Sequence, residues 1–371
     1  MPVDNQSARR IAVENLKPGM VLARDLVNEE GAVVLQKNTT LDMENFKAIV
    51  LNSSSYVLVL EDSIPKDRPS FLEAPVPGEK VPADIPVREQ EDFKVFVSDI
   101  QETTAALDDE IKRIADGEPV NRDSLFAMTD SVMGRLKTKS DVILYVNSLK
   151  ESDESTYSHS VNVSLLANLF AIWINAPQED MENLTVAAML HDIGMTKIPQ
   201  DLINKKGPLS REEFDEVKKH PTLGYRMLDA AEMPDEIKLC ALSHHERIDG
   251  SGYPLGIKGD KINSFAKIIG ILDVYEAMIS DRSYRARINP FEVIKSFEVD
   301  SYGLFDTQAL LIFLKNIAHT YLNSHVRLSD GTIGRVAFIN ENDLSRPMIK
   351  ADDGRLVNLF KERNIRVAEL L

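Results

Sequence analysis

The chain has 371 residues, 43% of them hydrophobic, with 43 Lys and Arg against 59 Asp and Glu and a formal net charge of −16. This is enough apolar material for a substantial core divided over two or three domains, and the acidic balance argues against DNA, RNA or an anionic membrane as the main partner, while leaving open an anionic small molecule gathered by a local cation. The single cysteine, Cys240, excludes a disulfide framework and a cysteine-based metal cluster.

No apolar run approaches the roughly 18 residues needed to cross a bilayer. The opening MPVDNQSARRIAVENLKPGM lacks the unbroken apolar stretch of a signal peptide. A cytoplasmic protein without a membrane span is therefore expected.

Residues 1–61 read as a small α+β module. GAVVLQ and SSYVLVLED predict short strands set off by the turn signals LKPG and NEEG, and LDMENFKAIVL predicts a helix from the spacing of Leu41, Phe46, Ile49 and Val50. Residues 62–92 read as a linker, because Pro65, Pro69, Pro75, Pro77, Pro82 and Pro86 favour extended chain. Between Asp62 and Asp123 there are 16 acids and 8 bases, half the chain's total excess. A solvated spacer followed by an acidic helix accounts for this; an interaction tail is the sharper alternative.

From 93 to 324 the periodicity is helical. SREE at Ser210–Glu213 fits a capping box, Pro234 opens PDEIKLCALSHHE, and NSFAKIIGILDVYEAMIS predicts a helix starting near Asn263. Residues 325–371 alternate around Asp330-Gly331 and Asp353-Gly354 and predict β-hairpins.

Five of the seven histidines, His159, His191, His220, His244 and His245, fall within the 87 residues 159–245, together with Asp192 beside His191, and Asp273 lies inside the apolar GILDVYEAM. Each histidine alone is an ordinary helix residue. A carboxylate inside an apolar helix needs a cation or strong donors. Adjacent side chains on one helix diverge by about 100°, so His244 and His245 can share a site only if it is wide, as a site for two ions would be. Nitrogen and oxygen donors without sulfur suit Fe, Mn or Zn.

LHDIGMTKIP at 190–199 and HHERIDGSGYPLG at 244–256 resemble the HD-GYP family, a branch of the HD phosphohydrolase superfamily. The likeness runs from 152 to 285, with His159, His191-Asp192, His220, His244-His245, Asp273 and the SDRSYR segment in family order. The opening module resembles the small domains that precede some HD-GYP domains. The resemblance implies a mainly α fold: an all-helical HD-type metal-dependent phosphohydrolase core with a small N-terminal α+β module and a short C-terminal β segment. It also implies hydrolysis of cyclic di-GMP to linear pGpG, and on to GMP in some members.

By the same resemblance, His159, His191, Asp192 and Asp273 would hold one divalent ion. Asp192 would bridge to a second ion, held also by His220, His244 and His245, with Fe or Mn as the expected metal. Arg282 and Arg285 match positions that grip phosphate; surface charge at a helix end is their plain alternative. Met195 stands where many members have a phosphate-reaching Lys, and Lys197 lies two residues on as a substitute. Ser155 stands where some members carry a Glu for a third metal, with Glu154 poorly placed beside it, so two ions are expected. Gly252, Tyr253 and Pro254 form either a plain turn or a loop that shapes the substrate mouth and docks other signalling proteins. Asp249 is a candidate to orient a ligand imidazole. A catalytically weak cyclic di-GMP receptor and a hydrolase of another nucleotide are the competing readings. For the flanking modules, structural filling competes with signal reception or homodimer formation.

Overall fold

The computed structural model of the protein describes residues 8–12, 20–27, 32–41, 56–60, 63, 87–118, 120–149, 157–205, 207–280, 288–301 and 303–371. The chain divides into two compact units, Met1–Glu79 and Lys80–Leu371. In the first, β1 (Ala8–Ala12) pairs antiparallel with β4 (Tyr56–Leu60), and β2 (Leu26–Val27) with β3 (Val33–Leu35). Met20, Leu22, Leu41, Val57 and Val59 bury together as its core. Val57 and Val59 are two apart, so a pleated strand turns both to one face. The predicted helix after Leu41 and most of the Pro-rich linker lie outside the described residues.

The second unit is mainly helical. It opens with α1 (Glu91–Ala115), α2 (Arg122–Arg135) and α3 (Asp141–Val146). In α1 the buried Phe93, Phe96, Ile100, Leu107, Ile111 and Ile114 recur every three to four residues, or a multiple of that, and so line one stripe. Next come α4 (Ser158–Trp173) and α5 (Gln178–Leu190), which pack along each other at the centre. Their segments SVNVSLLANLFA and NLTVAAML are buried on every side, as befits helices surrounded by protein.

A 3₁₀ segment, Ile193–Lys197, leads to the short α6 (Gln200–Ile203) and α7 (Arg211–Val217). Then follow α8 (His220–Ala230), α9 (Asp235–Ser243), α10 (Ser264–Ile279), α11 (Pro290–Asp300) and α12 (Thr307–Thr320). The capping box at Ser210 forms, with both reciprocal hydrogen bonds between Ser210 and Glu213. Asn263 caps α10 by accepting from the Phe265 and Ala266 amides, which fixes the start of the helix that carries Asp273.

The C-terminal residues form a five-stranded antiparallel sheet of order β8-β7-β6-β5-β9, from β5 (His325–Leu328), β6 (Ile333–Phe338), β7 (Met348–Ala351), β8 (Leu356–Asn358) and β9 (Val367–Leu370). Its inward Val326, Val336, Ile349, Val357 and Val367 join the same core as the helices. Hydrogen bonds tie it down: the Leu344 amide donates to Glu298 at 2.7 Å, and Asn289 Nδ2 to the Val367 carbonyl at 3.5 Å.

Candidate metal centre

The site forms where five helices end or cross. His191 is the C-cap of α5 and Asp192 follows it; His244 is the C-cap of α9 and His245 follows it. His220 opens α8, His159 sits in the first turn of α4, and Asp273 lies inside α10.

Helix ends leave carbonyls without intrahelical partners, and three of the histidines use them. Nδ1 of His191 donates to the Ala188 carbonyl at 2.7 Å, that of His220 to Val217 at 2.8 Å, and that of His244 to Ala241 at 3.0 Å. Each bond puts the ring proton on Nδ1 and turns the Nε2 lone pair inward. The result is a set of acceptors facing one another. His220 Nε2 and His244 Nε2 are 3.4 Å apart, and Asp192 Oδ1 lies 3.1 and 3.4 Å from them. His191 Nε2 and Asp192 Oδ1 are buried without a hydrogen-bond partner.

Buried lone pairs that face each other repel and cost desolvation unless a cation lies between them. Two overlapping sets have donor atoms within 4.8 Å of one another: Asp192, His220, His244 and His245, and His159, His191 and Asp192. Asp192 belongs to both. The orphaned acceptors and the all-N/O donor set fit divalent metal binding.

Asp273 lies at the edge of these sets, with Oδ1 3.2 Å from His159 Nε2 and Oδ2 3.9 Å from His245 Nδ1. Behind His159 stands Glu276, a residue the sequence reading passed over. Its carboxylate is buried and accepts from His159 Nδ1, from Asn162 Nδ2 at 3.0 Å and from Ser280 Oγ at 2.7 Å. Glu276 thereby orients the His159 ring, the role the sequence reading offered to Asp249. Asp249 is exposed and accepts from the Ser251 amide at 2.9 Å, so it shapes the loop and orients no imidazole. The available signal for Glu276 was its place one helical turn after Asp273 in a helix that is otherwise apolar there.

The predicted divergence of His244 and His245 does not occur. His244 caps its helix and His245 lies beyond it, so helical geometry does not govern the pair, and the two ring centroids are 4.1 Å apart. Two glycines allow the approach of the segments. A Cβ on Gly194 would lie 2.0 Å from the His220 carbonyl oxygen, and one on Gly252 2.4 Å from the His245 oxygen. Gly252 is thus set by backbone contact, whereas Gly250 in the same loop adopts a positive φ.

The Tyr253–Pro254 peptide is cis. Tyr253 stacks on His245 with centroids 4.7 Å apart, and its loop is anchored by buried Glu246, which accepts from the Leu255, Gly256 and Ile257 amides. Met195 is half-buried and Lys197 is exposed on the 3₁₀ segment just after Asp192. Arg282, Arg285, Ser155 and Glu154 lie outside the described residues.

Electrostatics separate the imidazoles. Burial pushes His191 down to about 4 and His245 down to about 2, so both are neutral imidazoles at pH 7. His159 is raised: burial opposes its charge, but Glu276 and Asp273 outweigh it. His220 is raised against burial by Asp192. Asp192 is held well below the carboxylate range, against burial, by His191, His220 and His244. Without a cation, protons on His159 and His220 offset the acids; a bound ion would displace them.

The HD domain family model matches residues 144–308. A cyclic di-GMP phosphodiesterase of Pseudomonas aeruginosa is 33% identical over 235 residues, 63% of this chain and 56% of that protein. A cyclic di-GMP phosphodiesterase of Thermotoga maritima is 35% identical over 181 residues, 47% and 48% of the two chains. A 3′3′-cGAMP-specific phosphodiesterase of Vibrio cholerae is 29% identical over 190 residues, 51% and 44%. The chain spans about half the length of the curated relatives it matches. No helix among the described residues is long and apolar enough to cross a membrane. Residues 144–308 thus match the HD domain family, and the His191-Asp192 pair and the Gly252-Tyr253-Pro254 turn lie within them.

Proposed function

We propose that the protein is a metal-dependent phosphodiesterase that opens cyclic di-GMP to linear pGpG, with GMP as a further product. The observation that carries this reading is the inward-facing set of Nε2 and Oδ atoms around Asp192, in which His191 Nε2 and Asp192 Oδ1 are buried without a hydrogen-bond partner. His191, with His159 and Asp273 beside it, would hold one ion, and His220, His244 and His245 a second, with Asp192 between them; Fe or Mn suits this donor set. Bound divalent ions would lower the pKa of water toward neutrality and stabilise charge on the phosphoryl and leaving oxygens.

The protein's own side chains do the rest. Asp192 is held below the carboxylate range, so it stays an anion and serves as a ligand instead of a general base. His191 and His245 stay neutral and keep their lone pairs. Attack on phosphorus in line with the 3′ oxygen breaks that P–O bond and leaves a 5′ phosphate on the linear product. Lys197 would contact the substrate phosphate in place of the Lys that Met195 replaces, and Arg282 and Arg285 would grip it bidentately. The Gly252-Tyr253-Pro254 loop would wall the mouth and offer a docking edge to signalling partners, and the flanking modules would regulate or dimerise.

The test is product analysis: metal-loaded protein incubated with cyclic di-GMP should yield pGpG. Binding without product in both iron- and manganese-loaded protein would favour a receptor, the reading that Met195 supports. The 3′3′-cGAMP-specific relative makes that dinucleotide the first alternative substrate to include.

A further inference from the structure

An aromatic path runs from the metal centre to the surface. His245 is stacked by Tyr253 (centroids 4.7 Å, planes 30° apart), Tyr253 lies edge-on to His220 at 6.4 Å, and Phe214 meets Tyr253 at 6.2 Å with the rings 77° apart. Phe214 is 45% exposed, and its helix α7 buries no residue at all. A phenylalanine so placed contributes little to the core. It presents ring surface to solvent two rings from the candidate ligands. The Lys218 ammonium lies 5.1 Å from the Phe214 centroid, partly neutralised by its ion pair with Asp215, and brings positive charge to the same spot. Leu255, 57% exposed beside Pro254 in the Gly-Tyr-Pro loop, adds apolar surface to that loop.

We propose that Phe214 is a base-stacking residue that holds one purine of a cyclic dinucleotide while its phosphodiester reaches the metal centre. The proposal rests on the phosphodiesterase reading for its substrate class. Any nucleobase has a π face, and an exposed ring flanked by a cation is suited to an aromatic anion. A substrate without a base would gain nothing from Phe214, so the residue separates dinucleotide recognition from the chemistry.

The test compares wild type, Phe214→Ala and Phe214→Trp on two substrates, cyclic di-GMP and the ring-free, base-free diester glycerophosphoethanolamine, with calorimetric binding of cyclic di-GMP as a third readout. Phe214→Ala is expected to raise KM and Kd for the dinucleotide by about tenfold, the lower part of the range for lost base stacking. Its kcat should stay within about twofold, its rate on the base-free diester should be unchanged, and Phe214→Trp should restore wild-type values. Unchanged dinucleotide KM and Kd in Phe214→Ala would overturn the proposal. So would an equal fall in rate on both substrates, since Phe214 would then act only by bracing Tyr253. If wild type binds the dinucleotide without cleaving it, the phosphodiesterase reading fails alone, and a tenfold change in Kd still supports the stacking role. If wild type neither binds nor cleaves it, both fail.

Discussion

Replacing Glu276 by Gln tests how the site prepares its first histidine. The carboxylate divides its work: Oε1 accepts from Asn162 Nδ2 and Ser280 Oγ, and Oε2 accepts from His159 Nδ1. A glutamine can keep its amide oxygen on Asn162 and Ser280. Its NH2 group then replaces Oε2 and points at His159 Nδ1. Two donors cannot share that contact, so His159 must move its proton to Nε2 and lose the lone pair it would offer an ion. Removing such an orienting partner costs about 10- to 100-fold in metal affinity, or roughly 1.4 to 2.7 kcal/mol. Glu276→Gln should therefore weaken metal binding by that factor, read by competition with a chelator of known affinity at pH 7. Its melting temperature as apoprotein should fall by only a few degrees, because two of the three hydrogen bonds survive. Metal affinity within twofold of wild type would refute the claim that Glu276 sets the His159 tautomer.

Three further outcomes follow from the geometry. Gly194→Ala places a Cβ 2.0 Å from the His220 carbonyl, so the 3₁₀ segment and α8 must separate; expect a loss of about 1–3 kcal/mol or more in thermal or denaturant unfolding, and weaker metal binding. Met195→Lys should improve cyclic di-GMP KM by about tenfold, the effect of one charge-assisted phosphate contact, while Lys197→Ala should raise it; a neutral result for both in steady-state kinetics would remove this segment from substrate binding. The chelator-treated apoprotein should be most stable near pH 6.5. His191 falls from an ordinary 6.5 to about 4 on folding, so its contribution, roughly 3 kcal/mol, is lost as pH drops from about 6.5 to 4, and His245 acts in the same direction. His159 and His220 are raised, so what they add is complete below 6.5 and is lost as pH climbs above it. Urea midpoints that rise steadily from pH 6.5 down to 4 would contradict this.

Much of the centre was legible because its ligands sit in long, ordered motifs. His191-Asp192 and His244-His245 mark helix ends, where a residue pair can leave helical geometry and turn to one point. The sequence reading treated the second pair as lying within a helix and so overestimated its divergence. Glu276 stayed hidden because a single acid in an apolar helix gives no sign of its partner, and His159 is 117 residues away. The caps at Ser210 and Asn263 were readable because capping is local chemistry within three residues. The hairpins after 325 were legible from alternation and Asp-Gly turns, but their packing into the helical core was not. It depends on contacts such as Asn289 to Val367, between residues 78 apart, which no periodicity encodes. The exposure of Phe214 is equally a tertiary fact, since its spacing alone would fit a buried helix face.

The most direct test of the central claim is elemental analysis of protein purified without oxygen, read together with pGpG formation from the same sample. Two divalent ions per chain that persist through desalting, lost along with product formation in Asp192→Ala, are the predicted result. A chain that retains fewer than about 0.2 ions yet still forms product, or one that firmly holds three, would contradict a two-ion centre built around Asp192.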